Sequence, residues 1–312
     1  MKSSFHDHPA AQPANGLPTP NATKRARSNT VNGHNQEREM PVQTFQSLAR
    51  GLIKLNRGWS RKLDRLLDPH GYRGDGSFDF MAAIRSALRP GMLVLDIGGG
   101  KRPAIAPDLK ESLSLRVIGV DIAQEELDAA PAGFYDQTIC GDITKEIALP
   151  AADLAISRSV TEHVADPGAM YFNILQALRP GAFLISYVPN KFAPYALVNA
   201  ALPNGLSKVL LSFFHWESKE ETGFPARYRH CYPSRLEALL SGVGFRDVQI
   251  HPSYRSEYCN FFLPLHASEL AWQIFTSRLN QRNLCETFTV IARKQPARGG
   301  ANLWMQAGSG SS

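Results

Sequence analysis

Two short stretches of this 312-residue chain carry side chains whose types and spacing suit chemistry. The first is Val94-Leu95-Asp96-Ile97-Gly98-Gly99-Gly100. An apolar run that ends in glycines lets the backbone approach a ligand closely, because no Cβ intervenes. Gly98 and Gly100 would line that approach, with the Asp96 carboxylate at its edge. A dinucleotide-binding fingerprint needs a third small residue three positions after the second glycine, and Pro103 stands there instead. The second stretch is Ser157-Arg158-Ser159-Val160-Thr161-Glu162-His163-Val164-Ala165-Asp166-Pro167. His163 titrates near neutrality and, beside Glu162, is a candidate general base. The alternative is that Glu162 and His163 orient their own loop by hydrogen bonds.

Elements that would position these residues can be read around them. Met92 to Ile97, Val117 to Asp121, Gln137 to Cys140, Leu154 to Ser157 and Ala182 to Val188 are short apolar runs that predict strands. Helical patterns fall between most of them, at about 123–129 and 167–178, and another follows at 233–242. Strands alternating with helices, with the strands apolar throughout, predict an α/β fold: a Rossmann-like, mostly parallel sheet covered on both faces. Phe245 to His251 and Glu286 to Arg293 would close it to seven strands. In such sheets ligands sit at the carboxyl ends of the strands, and both stretches fall there. Ahead of the sheet, Phe45, Leu48, Leu52, Leu55 and Trp59 predict an amphipathic helix over 43–67, weakened by Gly51 and Gly58. A second helix is expected from Phe78 to Leu88.

Asp96-x-Gly98-x-Gly100 resembles the first motif of class I methyltransferases, which use S-adenosylmethionine. Asp121, Gly141-Asp142-Ile143, Leu178-Arg179-Pro180-Gly181 and Gly242-Val243-Gly244-Phe245 match later family features in order. The Glu162-His163-Val164-x-Asp166-Pro167 segment resembles methyltransferases near the ubiquinone and menaquinone biosynthesis group. The resemblance implies S-adenosylmethionine contacts at Asp96, Gly98, Gly100, Asp121, Ile122, Asp142, Ile143 and Ser157. Asp121 would accept from the ribose hydroxyls and Asp142 would lie near the adenine amine. Some relatives hold magnesium through Glu-x-x-Glu-His. Here Ser159 occupies the first position, and no metal is expected.

On the acceptor side, Pro189 to Arg229 exceeds a minimal fold and reads as an aromatic lid insertion at a strand end or as a packed subdomain. Asn190, Tyr195, Trp216, Tyr228 and Arg229 are its candidate substrate contacts, with Phe192, Phe213, Phe214 and His215 nearby. Pro252 to Cys285, with an apolar helix near Ala267 to Leu279, completes the lid or forms a dimer face. The aromatic content predicts a partly apolar small-molecule acceptor, such as a lipid-linked or glycan-biosynthesis intermediate, methylated on oxygen.

The formal net charge is +6, from 34 Lys and Arg against 28 Asp and Glu. It is concentrated before residue 74, and the body is nearly neutral. That argues against RNA or protein as acceptor and against a nucleic-acid surface. A basic helix at 43–67 suits peripheral membrane contact. The expected domains are a disordered tail at 1–40, a helical extension at 41–91, the methyltransferase domain at 92–294 with its lid insertion at 189–229, and a tail at 295–312. Four scattered cysteines, without a C-x-x-C pair or a secretory signal, predict a cytoplasmic protein. None of these features sets the oligomeric state.

Overall fold

The computed structural model describes residues 33–68, 71, 74–201 and 226–296. Internal contacts divide the chain at Arg50, and residues from Gly51 onward form the unit that carries the sheet. In chain order its strands are β1 (Leu93–Ile97), β2 (Arg116–Asp121), β3 (Gln137–Cys140), β4 (Ala152–Arg158), β5 (Leu178–Pro189), β6 (Phe245–Ser253) and β7 (Thr287–Lys294). They form one seven-stranded sheet in the order β3-β2-β1-β4-β5-β7-β6. Neighbours are parallel except that β7 runs antiparallel to both β5 and β6. The expected α/β architecture is therefore present. The strand order turns between β1 and β4, where Ile97 pairs with Ser157.

The helices are α1 (Gly33–Leu67), α2 (Gly76–Ala87), α3 (Pro107–Ser112), α4 (Gln124–Asp128), α5 (Pro167–Ala177), α6 (Pro194–Ala201), α7 (Pro233–Val243) and α8 (Leu263–Arg278). Alternation along β1 explains the two layers. Leu93, Leu95 and Ile97 face a core shared with Met170, Tyr171 and Ile174 of α5 and with Leu236 and Leu240 of α7. Val94 faces the opposite core, with Phe80 and Ile84 of α2, Val117, Leu154, Ile156 and Ile185. Asp96 follows Val94 on that second side and is the one buried charge in an otherwise apolar strand.

Local chemistry sets the helix ends that matter for the site. Asp166 precedes α5 and accepts from the Ala169 amide at 3.1 Å, with Pro167 in the first turn. The Asp-Pro pair is thus a helix cap, and it fixes where the Glu162-His163 loop ends. Asp75 caps α2 in the same way, accepting from Ser77 and Phe78.

Three expectations change. α1 runs unbroken through Gly51 and Gly58, because both lie in a helix of strong helix formers and neither glycine has a neighbour that would force a bend. It also begins at Gly33, ahead of the predicted start. Leu178-Arg179-Pro180-Gly181 does not precede β5, whose expected start is Ala182. It is the irregular start of the strand, where the register against β4 shifts between Ala152 and Leu154.

Candidate active site at the carboxyl ends of β1, β2 and β4

β1 delivers Asp96 and Gly98 to the turn in strand order. Gly98 sits at φ +69 and its amide donates to the Val120 carbonyl at 2.7 Å. A Cβ there would collide with the Val160 side chain, so the left-handed turn and the close approach both require glycine. Gly100, at φ +43, would place a Cβ 3.2 Å from Asp121 Oδ2. The strand end therefore lies directly beside the carboxylate that closes β2.

Asp96 is 1% exposed. Its Oδ2 accepts from the Ala104 amide at 2.9 Å and lies 3.2 Å from the Tyr135 hydroxyl. That hydroxyl also lies 3.2 Å from the Gly100 carbonyl, and with one proton it can donate to only one of the two at a time. Oδ1 of Asp96 is buried with no hydrogen-bond partner among the described residues. Burial pushes this carboxyl up to about 6, against the opposing Ala104 and Tyr135 hydrogen bonds and the charge of Arg158. A ligand that brings a cation to Oδ1 would reverse the penalty.

Asp121, half-buried, accepts from the Ala123 amide through Oδ1 at 3.1 Å. Burial raises its carboxyl, and the nearby Glu126 charge adds to the rise. Ile122, the next residue, leaves its large side chain exposed. At the end of β3, Asp142 Oδ1 accepts from both the amide and the hydroxyl of Thr144, at 2.9 and 2.7 Å, and these bonds lower its carboxyl. That oxygen holds a turn, which leaves Oδ2 to meet a ligand. Ile143 packs its side chain into the core, so a ligand meets its backbone only. Ser157 is fully buried at the end of β4, and its hydroxyl has no hydrogen-bond partner among the described residues.

The loop after β4 is held from several sides. The Ser159 amide donates to the Tyr187 carbonyl at 3.0 Å, and the Thr161 and Tyr171 hydroxyls are 2.7 Å apart. Glu162 is 3% exposed. Its backbone carbonyl accepts from the Arg227 and Tyr228 amides at 2.6 and 3.0 Å, which brings the 226–232 segment over the loop. Oε1 of Glu162 lies 3.7 Å from His163 Nε2, while Oε2 is buried with no hydrogen-bond partner among the described residues. Burial pushes the Glu162 carboxyl up to about 8. Burial, with the Glu162 charge beside it, pushes the Tyr228 hydroxyl up to about 12.

The acceptor-side expectations divide. Tyr195 and Tyr228 are half-buried, and burial raises both hydroxyls. The Tyr195 ring stands 5.4 Å from that of Tyr258. Asn190 is corrected: it is fully buried and engaged within the protein. Its amide nitrogen donates to the carbonyls of Asn283 and Cys285, at 3.0 and 2.7 Å, and its oxygen accepts from the Phe192 amide. It ties the end of β5 to the approach to β7. Arg229 donates to the Ala165 carbonyl at 3.0 Å and braces the loop after β4 from outside. Trp216, with Phe213, Phe214 and His215, lies outside the described residues.

Tyr135 was not among the predicted site residues. The signal for it was Gly119, a glycine inside a strand. A Cβ on Gly119 would lie 2.8 Å from the Tyr135 ring. The missing side chain makes room for the tyrosine that reaches Asp96.

A family model described as a methyltransferase domain matches residues 54–250. The chain belongs to the methyltransferase domain family. An uncharacterized methyltransferase of Mycobacteroides abscessus is 35% identical over 106 residues, which are 32% of this chain and 40% of that protein. This methyltransferase-family chain therefore spans about two fifths of that relative's length. Among solved structures, phosphoethanolamine N-methyltransferase 2 of Haemonchus contortus, in complex with S-adenosyl-L-methionine, is 16% identical at a TM-score of 0.44. The comparison covers 70% of this chain and 52% of that one. A Bordetella parapertussis structure, titled as a possible exported protein, is 21% identical at a TM-score of 0.45, over 70% and 67% of the two chains.

S-adenosylmethionine is the cofactor of this class, and the residues fit it. Gly100 brings the end of β1 beside Asp121, and the orphaned Asp96 Oδ1 offers a buried carboxylate oxygen to a cationic group. Asp121 offers Oδ2 where a diol would bind. Among the described residues, no helix is long and apolar enough to cross a membrane.

Proposed function

We propose that this chain transfers the methyl group of S-adenosylmethionine to a hydroxyl of a small, partly apolar acceptor, of the lipid-linked or glycan-intermediate kind. The observation that carries the reading is Glu162. A buried carboxyl with one unpartnered oxygen stands at the end of β4, beneath a segment bearing Tyr228. When bound, the cofactor supplies a methyl group already activated by its sulfonium. Asp96, Gly98 and Gly100 would hold its amino-acid end, and Asp121 its ribose. Ile122 would cover a face of the base. The chain's remaining work is to align the acceptor and remove its proton. A carboxyl titrating near 8 is a stronger base, when ionised, than an ordinary glutamate, and its pKa lies near the working pH. Glu162, when ionised, takes the hydroxyl proton and becomes neutral, and His163, 3.7 Å away, stands where it can pass that proton on.

The test has two steps. Calorimetry with S-adenosylmethionine should show one-site binding, and no binding by the folded protein overturns the reading. Transfer of a labelled methyl group into fractionated cell extract should then place the label in organic-extractable material. Label recovered in RNA or protein overturns the small-molecule acceptor. A His163→Ala enzyme with an unchanged pH–rate profile removes His163 from the proton path.

A further inference from the structure

Helix α8 is built inside out. Its buried positions are His266, Glu269, Gln273 and Thr276, beside Leu270. Its exposed positions are Leu265, Trp272 and Phe275, with Leu279 just past its end, each between 38% and 56% exposed. On an ideal helix the exposed set spans about 80°. The inward polar groups have partners that explain them. His266 Nε2 lies 3.2 Å from Asp64 Oδ2, and Glu269 Oε2 accepts from the Cys259 amide at 3.3 Å. Gln273 donates to Glu286 at 3.4 Å. Among the described residues nothing comparable accounts for the apolar side, where a water-facing helix would be polar.

The part of α1 from Gly51 onward has the same character in three stripes. Ile53, Asn56, Ser60 and Asp64 form the docked face: Ser60 Oγ donates to the Asn260 carbonyl, Asn56 accepts from the Leu263 amide, and Asp64 meets His266. Leu52, Leu55, Trp59 and Leu66, which span about 60° on an ideal helix, are between 52% and 74% exposed. Arg61 and Arg65 lie on a third, exposed face, and Lys62 stands between, its Nζ 4.5 Å from the Trp59 ring. Two helices joined by the Asn56–Leu263 hydrogen bond and the Asp64–His266 ion pair thus present apolar side chains, two tryptophans among them, beside a row of cations.

We infer that this two-helix surface docks on an anionic lipid bilayer. The leucines, Phe275 and the tryptophans enter at headgroup depth, and Arg61, Lys62 and Arg65 pair with lipid phosphates. Charge complementarity decides the occupant. Residues 51–68 hold Lys54, Arg57, Arg61, Lys62 and Arg65 against Asp64 and Asp68, and Asp64 already faces His266. A second copy meeting this face about a two-fold axis would set those cations against themselves. The surface also connects to the acceptor side. The loop that carries Asn260, bonded to Ser60, carries Tyr258, stacked near Tyr195.

The experiment is flotation of the full chain with vesicles of phosphatidylcholine alone and of phosphatidylcholine mixed with phosphatidylglycerol. The native protein should float with the mixed vesicles only, and less so as salt rises. Arg61→Gln/Lys62→Gln/Arg65→Gln should lower the partition coefficient on the order of 100-fold, roughly fivefold per cation removed. Trp272→Ser/Phe275→Ser should weaken binding as well, with melting temperatures unchanged because all five side chains are surface groups. Native protein that stays unbound to mixed vesicles overturns the inference. So does a Trp272→Ser/Phe275→Ser variant that changes from dimer to monomer in light scattering while its vesicle binding is unchanged.

Discussion

Replacing Glu162 by glutamine should stabilise this protein, and increasingly so as pH rises. Burial pushes the Glu162 carboxyl from the ordinary 4.5 to about 8. Below pH 4.5 both the folded and unfolded chains hold the proton, and the residue adds no penalty. Between 4.5 and 8 the unfolded chain loses the proton while the folded chain keeps it. The unfolded state then binds fewer protons, so stability falls with rising pH across that window. Each pH unit is worth about 1.36 kcal/mol. The loss is therefore roughly 3 kcal/mol at pH 7 and about 5 kcal/mol once pH exceeds 8. The Glu162→Gln substitution keeps the shape and removes the titration. The difference in unfolding free energy between the two proteins should grow by about these amounts from acid to alkaline pH, whatever constant offset the amide introduces. Glu286, also pushed up to about 8, is present in both proteins and cancels. Urea unfolding at acid, neutral and alkaline pH measures it directly. A difference that stays flat with pH would refute the reasoning, because it would mean that Glu162 is hydrated rather than held dry. If Glu162 takes the acceptor proton, the same variant gains stability and loses turnover, with cofactor affinity unchanged. That is the trade expected where a strained group is kept for its chemistry.

Asp121→Asn keeps an acceptor for the Ala123 amide but removes the charge offered to a diol; S-adenosylmethionine binding should weaken roughly 10- to 150-fold by calorimetry, as for a charged hydrogen bond of about 1.5–3 kcal/mol. Gly98→Ala forces a Cβ into left-handed backbone and against Val160, and chemical unfolding should show a loss of roughly 2–4 kcal/mol; adding Val160→Ala should recover only the collision part. Tyr135→Phe removes the hydroxyl beside Asp96 and Gly100, and cofactor affinity should fall about fivefold, the worth of one net hydrogen bond, with melting little changed.

The sheet was legible because a strand buried on both faces reads as an unbroken apolar run, and β1, β2 and β4 each do. Their ends then located Asp96, Asp121 and Ser157 without side-chain geometry. What stayed hidden were relations between distant residues. Asn190 has the right type and place for a substrate contact, but only the fold shows that its whole amide is engaged by Asn283, Cys285 and Phe192. Tyr135 belongs to no motif, and its role appears only when Gly119 is seen as the space beneath its ring.

Helix α8 shows why composition alone misleads about which way a helix faces. Leu265, Leu270, Trp272, Ile274 and Phe275 make the segment look like a core helix with an apolar face to bury. Its polar residues take the interior because they have specific partners there: Asp64 on α1, the backbone of Cys259, and Glu286 at the edge of β7. A buried His266 between two carboxylates is pushed up to about 9, so it carries a proton at neutral pH and pairs with Asp64 as a cation. Once buried, neither charge can be removed without leaving the other unpaired in the interior, so Asp64 and His266 hold this face of the helix inward together. Under the docking proposal, the outward apolar face and the neighbouring cations of α1 meet an anionic bilayer together.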